Sequence, residues 1–420
     1  MNSISEATTK FCLDFFTKVN KDLSSENIIF SPASISMAIG MVLLGAKGNT
    51  ATQIEKGLHF VEFAENEKPR TGSSLEISRN DDSSESSCRP PLSPQLEVLD
   101  DQCDIPGGIH SQFHDIISEI NKPSPSYELV IANRLYGEQT FQFLQKYLSC
   151  LEKLYQATLK SVDFQHAVEE TRKQINEWVE TFTKGKIKDL FAQGALSGDT
   201  KLVLVNAVYF KGQWAEEFKK ENTKETPFHI NETTSKPVQM MNHRGEYNIA
   251  TIKEYDCQVL ELPYKGCELS MYILLPKDHA GLTKLEKELT NEKLTTWISA
   301  NYMNKDDVKV SLPQFKIQTD ISLNAYLEAL GMTDMFSPES DLSGISEASD
   351  LFLNAAVHKA FIEVNEEGTV AAAATGISVG VTSIKTPVTF LADHPFLFFI
   401  RHHNTQCILF YGRVSSPESI

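Results

Sequence analysis

The sequence lacks the long apolar run that would place part of the chain inside a bilayer. The longest apolar run near the C-terminus, Pro395 to Ile400, has the length of a buried strand. The first ten residues show no basic stretch followed by an apolar one, so no secretory signal is expected. These absences predict a protein without a membrane as partner.

Basic residues are too few to predict a nucleic-acid-binding surface. The chain has 39 Lys and Arg against 56 Asp and Glu, a formal net charge of −17, whereas phosphate binding needs a basic face. Phosphate loops, dinucleotide fingerprints and the H-E-x-x-H motif are absent too. We therefore expect neither nucleic acid nor a cofactor. An apolar content of 41% over 420 residues is ordinary for a globular protein.

Paired cysteine motifs are also missing. The seven cysteines are odd in number and have no CxxC spacing, which predicts free thiols in a reducing cytoplasm, with leaderless secretion as a second route. The one glycosylation sequon, Asn231-Glu-Thr, is expected to stay unmodified there. The cysteines are Cys12, Cys88, Cys103, Cys150, Cys257, Cys267 and Cys407.

One internal segment differs in composition from the rest. Residues 61–108 hold eleven acidic and four basic residues, three prolines in the span 90–94 and a Ser-rich run at 83–87. Such a segment buries too little apolar surface to order itself. It is predicted to be a disordered insertion between two helices, either a plain spacer or a loop for binding or modification.

Outside this insertion, periodicity predicts helices first and strands later. Helices are expected at 5–20, from Pro32 onward, and at 140–155, 169–184, 281–300 and 321–330. Strands are expected at 127–136, 202–210, 259–263, 269–275, 308–317, 351–365, 394–401 and 408–414. No linker or repeat divides the chain, which indicates a single α+β domain over residues 1–420.

Two patterns suggest catalysis or metal binding, but the residues around them do not support either function. Gly376-Ile-Ser-Val-Gly380 fits G-x-S-x-G, but no helix follows it, and its nearest acid and histidine, Asp393 and His394, are adjacent and hardly able to form a relay. His402, His403 and Cys407 lack ligand spacing, so no metal site is predicted.

Four polar residues interrupt otherwise apolar elements. Ser31 and Ser34 open the apolar helix after Phe30, Asn206 interrupts the strand 202–210, and His358 lies in the strand 351–365. They are either four separate hydrogen-bonded groups or one network where a helix end meets the middle of a sheet.

The stretch 366–385 fits no single type of secondary structure. It is small or β-branched nearly throughout, with four consecutive alanines, and is not followed by a helix pattern. With period two, Thr369, Ala371 and Ala373 share one small face with Ile377 further along. A flexible linker and a helix are the ordinary interpretations, but the segment also fits an exposed loop in one state and a strand in another.

Together these residues resemble a serpin over the whole chain except 61–108. The resemblance is specific to the ovalbumin-type intracellular clade, given the helix close to Met1 and the short end after Pro417. The matching stretches are Phe30-Ser-Pro-Ala-Ser-Ile, Asn206-Ala-Val-Tyr-Phe-Lys-Gly-Gln-Trp, Glu366-Glu-Gly-Thr with its alanines, and Ala392-Asp-His-Pro-Phe.

The resemblance implies a serpin fold, with a large central β-sheet, further sheets, about nine helices and an exposed reactive-centre loop at 366–386. It implies a shutter under the opening of that sheet (Ser31, Ser34, Asn206 and His358) and a breach at its top (Trp214). The implied reactive bond is Thr382–Ser383. The implied hinge is Glu366, Glu367, Gly368, Thr369, Val370, Ala371, Ala372, Ala373 and Ala374.

The implied function is inhibition of a serine or cysteine protease by a monomeric suicide substrate with no catalytic residue of its own. Cleavage after Thr382 would form an acyl-enzyme, and insertion of the loop into the central sheet would trap it. Val370 replaces the acid usual in inhibitors but faces outward by period two. An elastase-like target is expected. The alternative is a non-inhibitory binding protein whose loop is only cut.

Overall fold

The computed structural model describes residues 3–61, 103–367 and 386–420. Within these ranges it contains nine α-helices, none of them long and apolar enough to cross a membrane. The helices are α1 Ser3–Asp22, α2 Pro32–Leu43, α3 Gly48–Gly57, α4 Ile109–Ile120, α5 Gln145–Tyr155, α6 Phe164–Phe182, α7 His279–Glu288, α8 Asn291–Trp297 and α9 Asn324–Glu328.

Fourteen β-strands complete the described part of the fold. They are β1 Ile28–Phe30, β2 Tyr127–Glu138, β3 Thr158–Val162, β4 Leu202–Gly212, β5 Lys224–His229, β6 Ser235–Ile252, β7 Cys257–Pro263, β8 Leu269–Pro276, β9 Asn304–Pro313, β10 Phe315–Ser322, β11 Leu353–Val364, β12 Val388–Leu391, β13 Phe396–His402 and β14 Ile408–Val414.

The strands form two sheets, and the smaller one positions the candidate site. It has the order β10-β11-β4-β2-β3. At its centre β4 and β11 pair in parallel, from Leu202 opposite Leu353 to Phe210 opposite Ile362. All residues of β4 from Leu202 to Phe210 are buried, as expected for a strand apolar on both faces. No strand separates β4 from β11.

The larger sheet has nine strands in the order β1-β14-β13-β8-β7-β6-β9-β12, with β5 beside β6. Its β13 and β14 pair antiparallel, as their apolar sequences predict. The two sheets with their nine helices confirm the expected α+β serpin-like architecture in one domain.

Helix α2 forms much of the core beneath the smaller sheet. Its twelve residues are all buried, and it packs against β4 and β14. The sequence explains where it starts: Ser31 is extended and its side chain accepts a hydrogen bond from the backbone N–H of Ser34, while Pro32 occupies the first turn. The cap directs the first turn of the helix toward β4.

Two expected elements are divided in the structure. The helix expected over 281–300 is α7 and α8, because Leu289 is extended and Thr290 caps a new helix. The strand expected over 308–317 is β9 and β10, which belong to different sheets. The chain changes sheet at Pro313–Gln314, where the Gln314 backbone N–H donates to the Gln239 carbonyl at 2.8 Å. Short windows of periodicity cannot detect either break.

The expectation that all cysteines are free is wrong. Cys103 and Cys150 form a disulfide with their Cα atoms 5.4 Å apart. The bond connects the last part of the predicted insertion to α5. Residues 103–108 are ordered there, and the Asp104 carboxylate accepts the backbone N–H of Ser111 at 2.7 Å at the start of α4. Residues 62–102 of the insertion lie outside the described residues.

A buried ion pair joins three distant parts of the fold. Arg413 of β14 is 2% exposed, and its Nη1 lies 2.9 Å from the carboxylate of Glu286 in α7. Its Nη2 also donates to the Glu26 carbonyl at 2.9 Å, in the turn after α1. Its Nε also donates to the Ser415 hydroxyl, just after β14, at 3.0 Å. The guanidinium thereby joins α7, the turn after α1 and the end of β14 in a buried site.

We predict that Arg413→Ala lowers the free energy of unfolding by about 3–5 kcal/mol, because Glu286 would be buried without its cation. Lys305→Ala is the control, since it removes an ion pair with Glu246 in which both side chains are largely exposed. Thermal unfolding of both variants checks this. An unchanged midpoint for Arg413→Ala would contradict the role given to the pair.

Candidate functional site

The four polar residues of the predicted shutter form one connected network. Asn206 Nδ2 donates to the Ser34 hydroxyl, and Asn206 Oδ1 accepts from His358 Nδ1. The Ser31 backbone N–H donates to His358 Nε2 at 3.1 Å. The start of α2 is thus bonded to the centre of the smaller sheet. Of the two interpretations left open by the sequence, the geometry is that of one network.

The network spans three adjacent strands. Asn206 of β4 is opposite His358 of β11 on one side and Asn133 of β2 on the other. Asn206 Nδ2 donates to Asn133 Oδ1 as well. Sequence reasoning missed Asn133, although an amide between apolar strand residues was a usable signal. The Asn206–His358 bond lies directly across the parallel ladder, so separating β4 from β11 would break it.

The partners of His358 determine its protonation state. Nε2 accepts a backbone N–H, so it carries no proton, whereas Nδ1 faces an amide oxygen and must donate. The ring is therefore neutral. Burial lowers the pKa of His358 to about 3, because an imidazolium at this position would be desolvated and would lose the bond from Ser31.

Trp214, the predicted breach residue, lies at the end of β4 and contacts the chain leaving β11. Its Nε1 donates to the Asn365 carbonyl at 2.9 Å, and its backbone N–H donates to the Glu367 carbonyl at 3.4 Å. The indole stacks on Tyr264 with ring centroids 4.6 Å apart. These contacts hold the first residues after β11 against the top of the sheet.

Glu366, the first predicted hinge residue, is anchored at the same place. The side chain is buried, and its carboxylate accepts from the Thr223 hydroxyl at 2.5 Å and from the Gln314 amide at 2.7 Å. The Glu366 carbonyl accepts the Phe218 backbone N–H at 3.0 Å. Thr223 and Gln314 had no sequence signal, because each is an ordinary polar residue near the end of a strand.

Glu367 lies within the predicted loop of 366–386 and is the last described residue before residue 386. Its carboxylate pairs with Lys220 Nζ at 2.6 Å. The hinge from Gly368 to Ala374 and the bond Thr382–Ser383 lie outside the described residues. The chain leaves the smaller sheet at Val364 of β11 and is next described in a strand at Val388 of β12, which pairs with β9 in the larger sheet.

The side chains of Asp393 and His394 pair, contrary to expectation. His394 Nδ1 lies 2.8 Å from Asp393 Oδ1, while His394 Nε2 lies 2.6 Å from the Pro276 carbonyl oxygen. The chain bends at His394, which allows the neighbouring side chains to meet. Both ring nitrogens are engaged, so the ring has no nitrogen available to act on Ser378, which itself lies outside the described residues.

The two histidines at the end of β13, His402 and His403, are held by separate partners. His402 Nδ1 lies 2.9 Å from the Thr405 hydroxyl, and His403 Nε2 lies 2.9 Å from the Ser270 hydroxyl. Burial lowers the pKa of both rings. Among the described residues no cluster of three or more potential ligands could hold a metal ion.

Comparison with known proteins adds to this geometry. A family model described as "Serpin (serine protease inhibitor)" matches residues 6–417. The chain is 46% identical to Serpin B4 of Homo sapiens over 418 residues, which cover 99% of this chain and 100% of that protein. It is 45% identical to the leukocyte elastase inhibitor of Sus scrofa over 422 residues, 99% of this chain and 100% of that one. The solved structure of uncleaved ovalbumin superposes with a TM-score of 0.83 at 37% identity, covering 99% of this chain and 100% of that chain.

We predict an acid sensitivity that originates at His358. The folded pKa of about 3 is below the value of about 6.5 in an unfolded chain, so the unfolded state binds the extra proton. His358 therefore contributes its full stability above pH 6.5 and loses it as the pH falls toward 3. Between pH 6.5 and pH 5 this loss is about 2 kcal/mol.

The measurement compares unfolding in urea at pH 7 and pH 5 for the wild type and His358→Gln. Other buried histidines add to the acid sensitivity, so the difference between the two proteins is the relevant quantity. The variant is expected to be less stable at pH 7 but to lose about 2 kcal/mol less on acidification. His166→Gln, at an exposed position on α6, is the control. Equal losses in wild type and His358→Gln would contradict the prediction.

Proposed function

The chain belongs to the serpin family, as the sequence resemblance indicated, and on this premise we propose that it inhibits serine proteases as a suicide substrate. It would have no catalytic residue, because it supplies the bond that is attacked and the strand that moves afterwards. The relatives place it in clade B, the ovalbumin-type clade.

One observation carries the mechanism: the closed parallel ladder between β4 and β11. Residues pair directly along it from Leu202 to Phe210, so no additional strand lies between β4 and β11. The predicted loop begins where β11 ends, and it connects to β12 in the other sheet. A loop held at both ends cannot enter the smaller sheet until one end is released.

Cleavage supplies that release. The serine Oγ of the target protease attacks the carbonyl carbon of Thr382, and its histidine takes the hydroxyl proton. The bond to Ser383 breaks, the histidine returns the proton to the departing Ser383 amine, and Thr382 remains esterified to the protease. The segment from Gly368 to Thr382 is then attached only at its N-terminal end and carries the protease with it.

Sheet geometry gives the direction of the next step. Because β4 and β11 are parallel, a strand that turns back after Glu367 runs antiparallel to both. One parallel ladder would become two antiparallel ladders, the more stable kind per residue. Entry must part Asn206 from His358, so the shutter network is proposed as the barrier that holds the uncleaved state kinetically.

The hinge composition supports insertion. In an inserted strand, Thr369, Ala371 and Ala373 would be the small inward residues by period two, and Val370, in place of the usual acid, would be an outward one. At the predicted cleavage site, Val381 and Thr382 suit the small apolar pocket of an elastase-like protease. Cleavage after Lys385 instead would lengthen the loop.

Target class and location follow from the same proposal. We propose a monomer whose main targets are serine proteases, with cysteine proteases as further candidates. The expected cytoplasmic location rested on reduced cysteines. The Cys103–Cys150 disulfide favours release from the cell for the molecules that carry it.

The test is incubation with elastase-like, chymotrypsin-like and trypsin-like proteases, followed by a denaturing gel. A band at the summed mass with an elastase-like enzyme is expected, because the acyl bond survives denaturation. Mass spectrometry should find a released fragment beginning at Ser383. Clean cleavage with full residual protease activity across the panel would favour the alternative, a serpin-fold binding protein whose loop is only a substrate.

A matched pair of variants tests the hinge. Thr369→Arg should convert the inhibitor into a substrate, because the inserted strand would bury an unpaired charge. Val370→Arg adds the same charge on the predicted outward face and should retain complex formation. The yield of gel-stable complex, measured against cleaved product, distinguishes the two. Equal complex yields would show that the inward face has been assigned incorrectly.

A further inference from the structure

The glycosylation sequon lies at the tip of the β5–β6 hairpin. Asn231, Glu232 and Thr233 are all exposed, between the end of β5 at His229 and the start of β6 at Ser235. The Asn231 backbone N–H donates to the Thr234 carbonyl at 3.3 Å, which closes the turn. The sequon is therefore presented on a defined surface turn and not inside an element.

The turn arranges the two functional side chains of the sequon. The Thr233 hydroxyl and the Thr233 backbone N–H each donate to Asn231 Oδ1 at 3.0 Å. The amide oxygen is thus occupied, while within the described residues Asn231 Nδ2 has no hydrogen-bond partner. N-glycosylation requires this pair of residues two positions apart on an accessible loop, with an amide nitrogen free to react.

An independent observation concerns the compartment. The Cys103–Cys150 disulfide lies in a different part of the fold and has an ordinary Cα separation of 5.4 Å. Disulfides form and persist in oxidising compartments such as the endoplasmic reticulum and are rare in the cytosol. N-linked oligosaccharides are attached in that same oxidising lumen, so the two features point to one route.

We propose that Asn231 carries an N-linked oligosaccharide, added in the compartment where Cys103 and Cys150 pair. In the transfer, Asn231 Nδ2 bonds to the anomeric carbon of a lipid-linked oligosaccharide and loses one proton, and the lipid pyrophosphate leaves. The hairpin also contacts the chain after β12, since the His229 N–H donates to the Asp393 carbonyl at 2.7 Å. The glycan therefore lies on the side where the predicted loop rejoins the larger sheet.

The experiment expresses the full chain in a human secretory cell line in two forms, unaltered and with a cleavable signal peptide. Both forms should give a species in the medium that migrates more slowly on a gel. Peptide N-glycosidase should restore the mobility of the unmodified chain and convert Asn231 to Asp. Alkylation before reduction should leave Cys103 and Cys150 unlabelled in that species.

Three exposed-site variants serve as controls. Asn231→Gln and Thr233→Ala should abolish the mobility shift, whereas Thr233→Ser keeps a functional sequon and should retain it. An unmodified Asn231 in the signal-directed chain would overturn the acceptor assignment. An unaltered chain that reaches the medium without glycan, or never reaches it, would overturn the proposed route. Neither result depends on protease inhibition.

Discussion

The hydrogen bond from His358 to Asn206 crosses the parallel ladder between β4 and β11, in the interior of the described five-stranded sheet. The bond is strong because the site is buried and both partners are satisfied on their other sides, by Ser31, Ser34 and Asn133. Helix α2 begins at this point, with Ser31 as its cap. The same hydrogen bonds therefore fix the position of α2, keep the imidazole neutral and hold the ladder closed.

The second constraint is the anchorage of the chain after β11. The Glu366 carboxylate is buried but has two neutral donors, Thr223 and Gln314, where a cation would be the stronger partner. The two hydrogen bonds satisfy the carboxylate. Because both donors are neutral, the contact is weaker than an ion pair and easier to break when the chain moves. Together with Trp214, it determines where an inserted strand would have to begin turning.

The disulfide and the sequon bear on the compartment in which the protein folds. Composition alone favoured a reduced, unmodified chain, because scattered cysteines and one sequon carry no information about distance or exposure. The fold brings Cys103 next to Cys150 across 47 residues of sequence, and it presents Asn231 at a hairpin tip. Both are consequences of tertiary placement.

Local sequence predicted the elements whose pattern is strong and uninterrupted. Strands β4, β7 and β8, strand β11 with His358 inside it and helix α2 with its Ser31 cap all follow from apolar periodicity and capping chemistry, which act within a few residues. The break at Pro313 did not follow, because it depends on pairing with distant strands. The break at Leu289 is capped locally by Thr290, a signal that apolar periodicity does not contain.

The polar residues of the network were visible in sequence as interruptions of apolar elements, but the contacts between them were not. Only the register of β2, β4 and β11 decided that Asn133, Asn206 and His358 stand side by side, since strand pairing joins residues far apart in the chain.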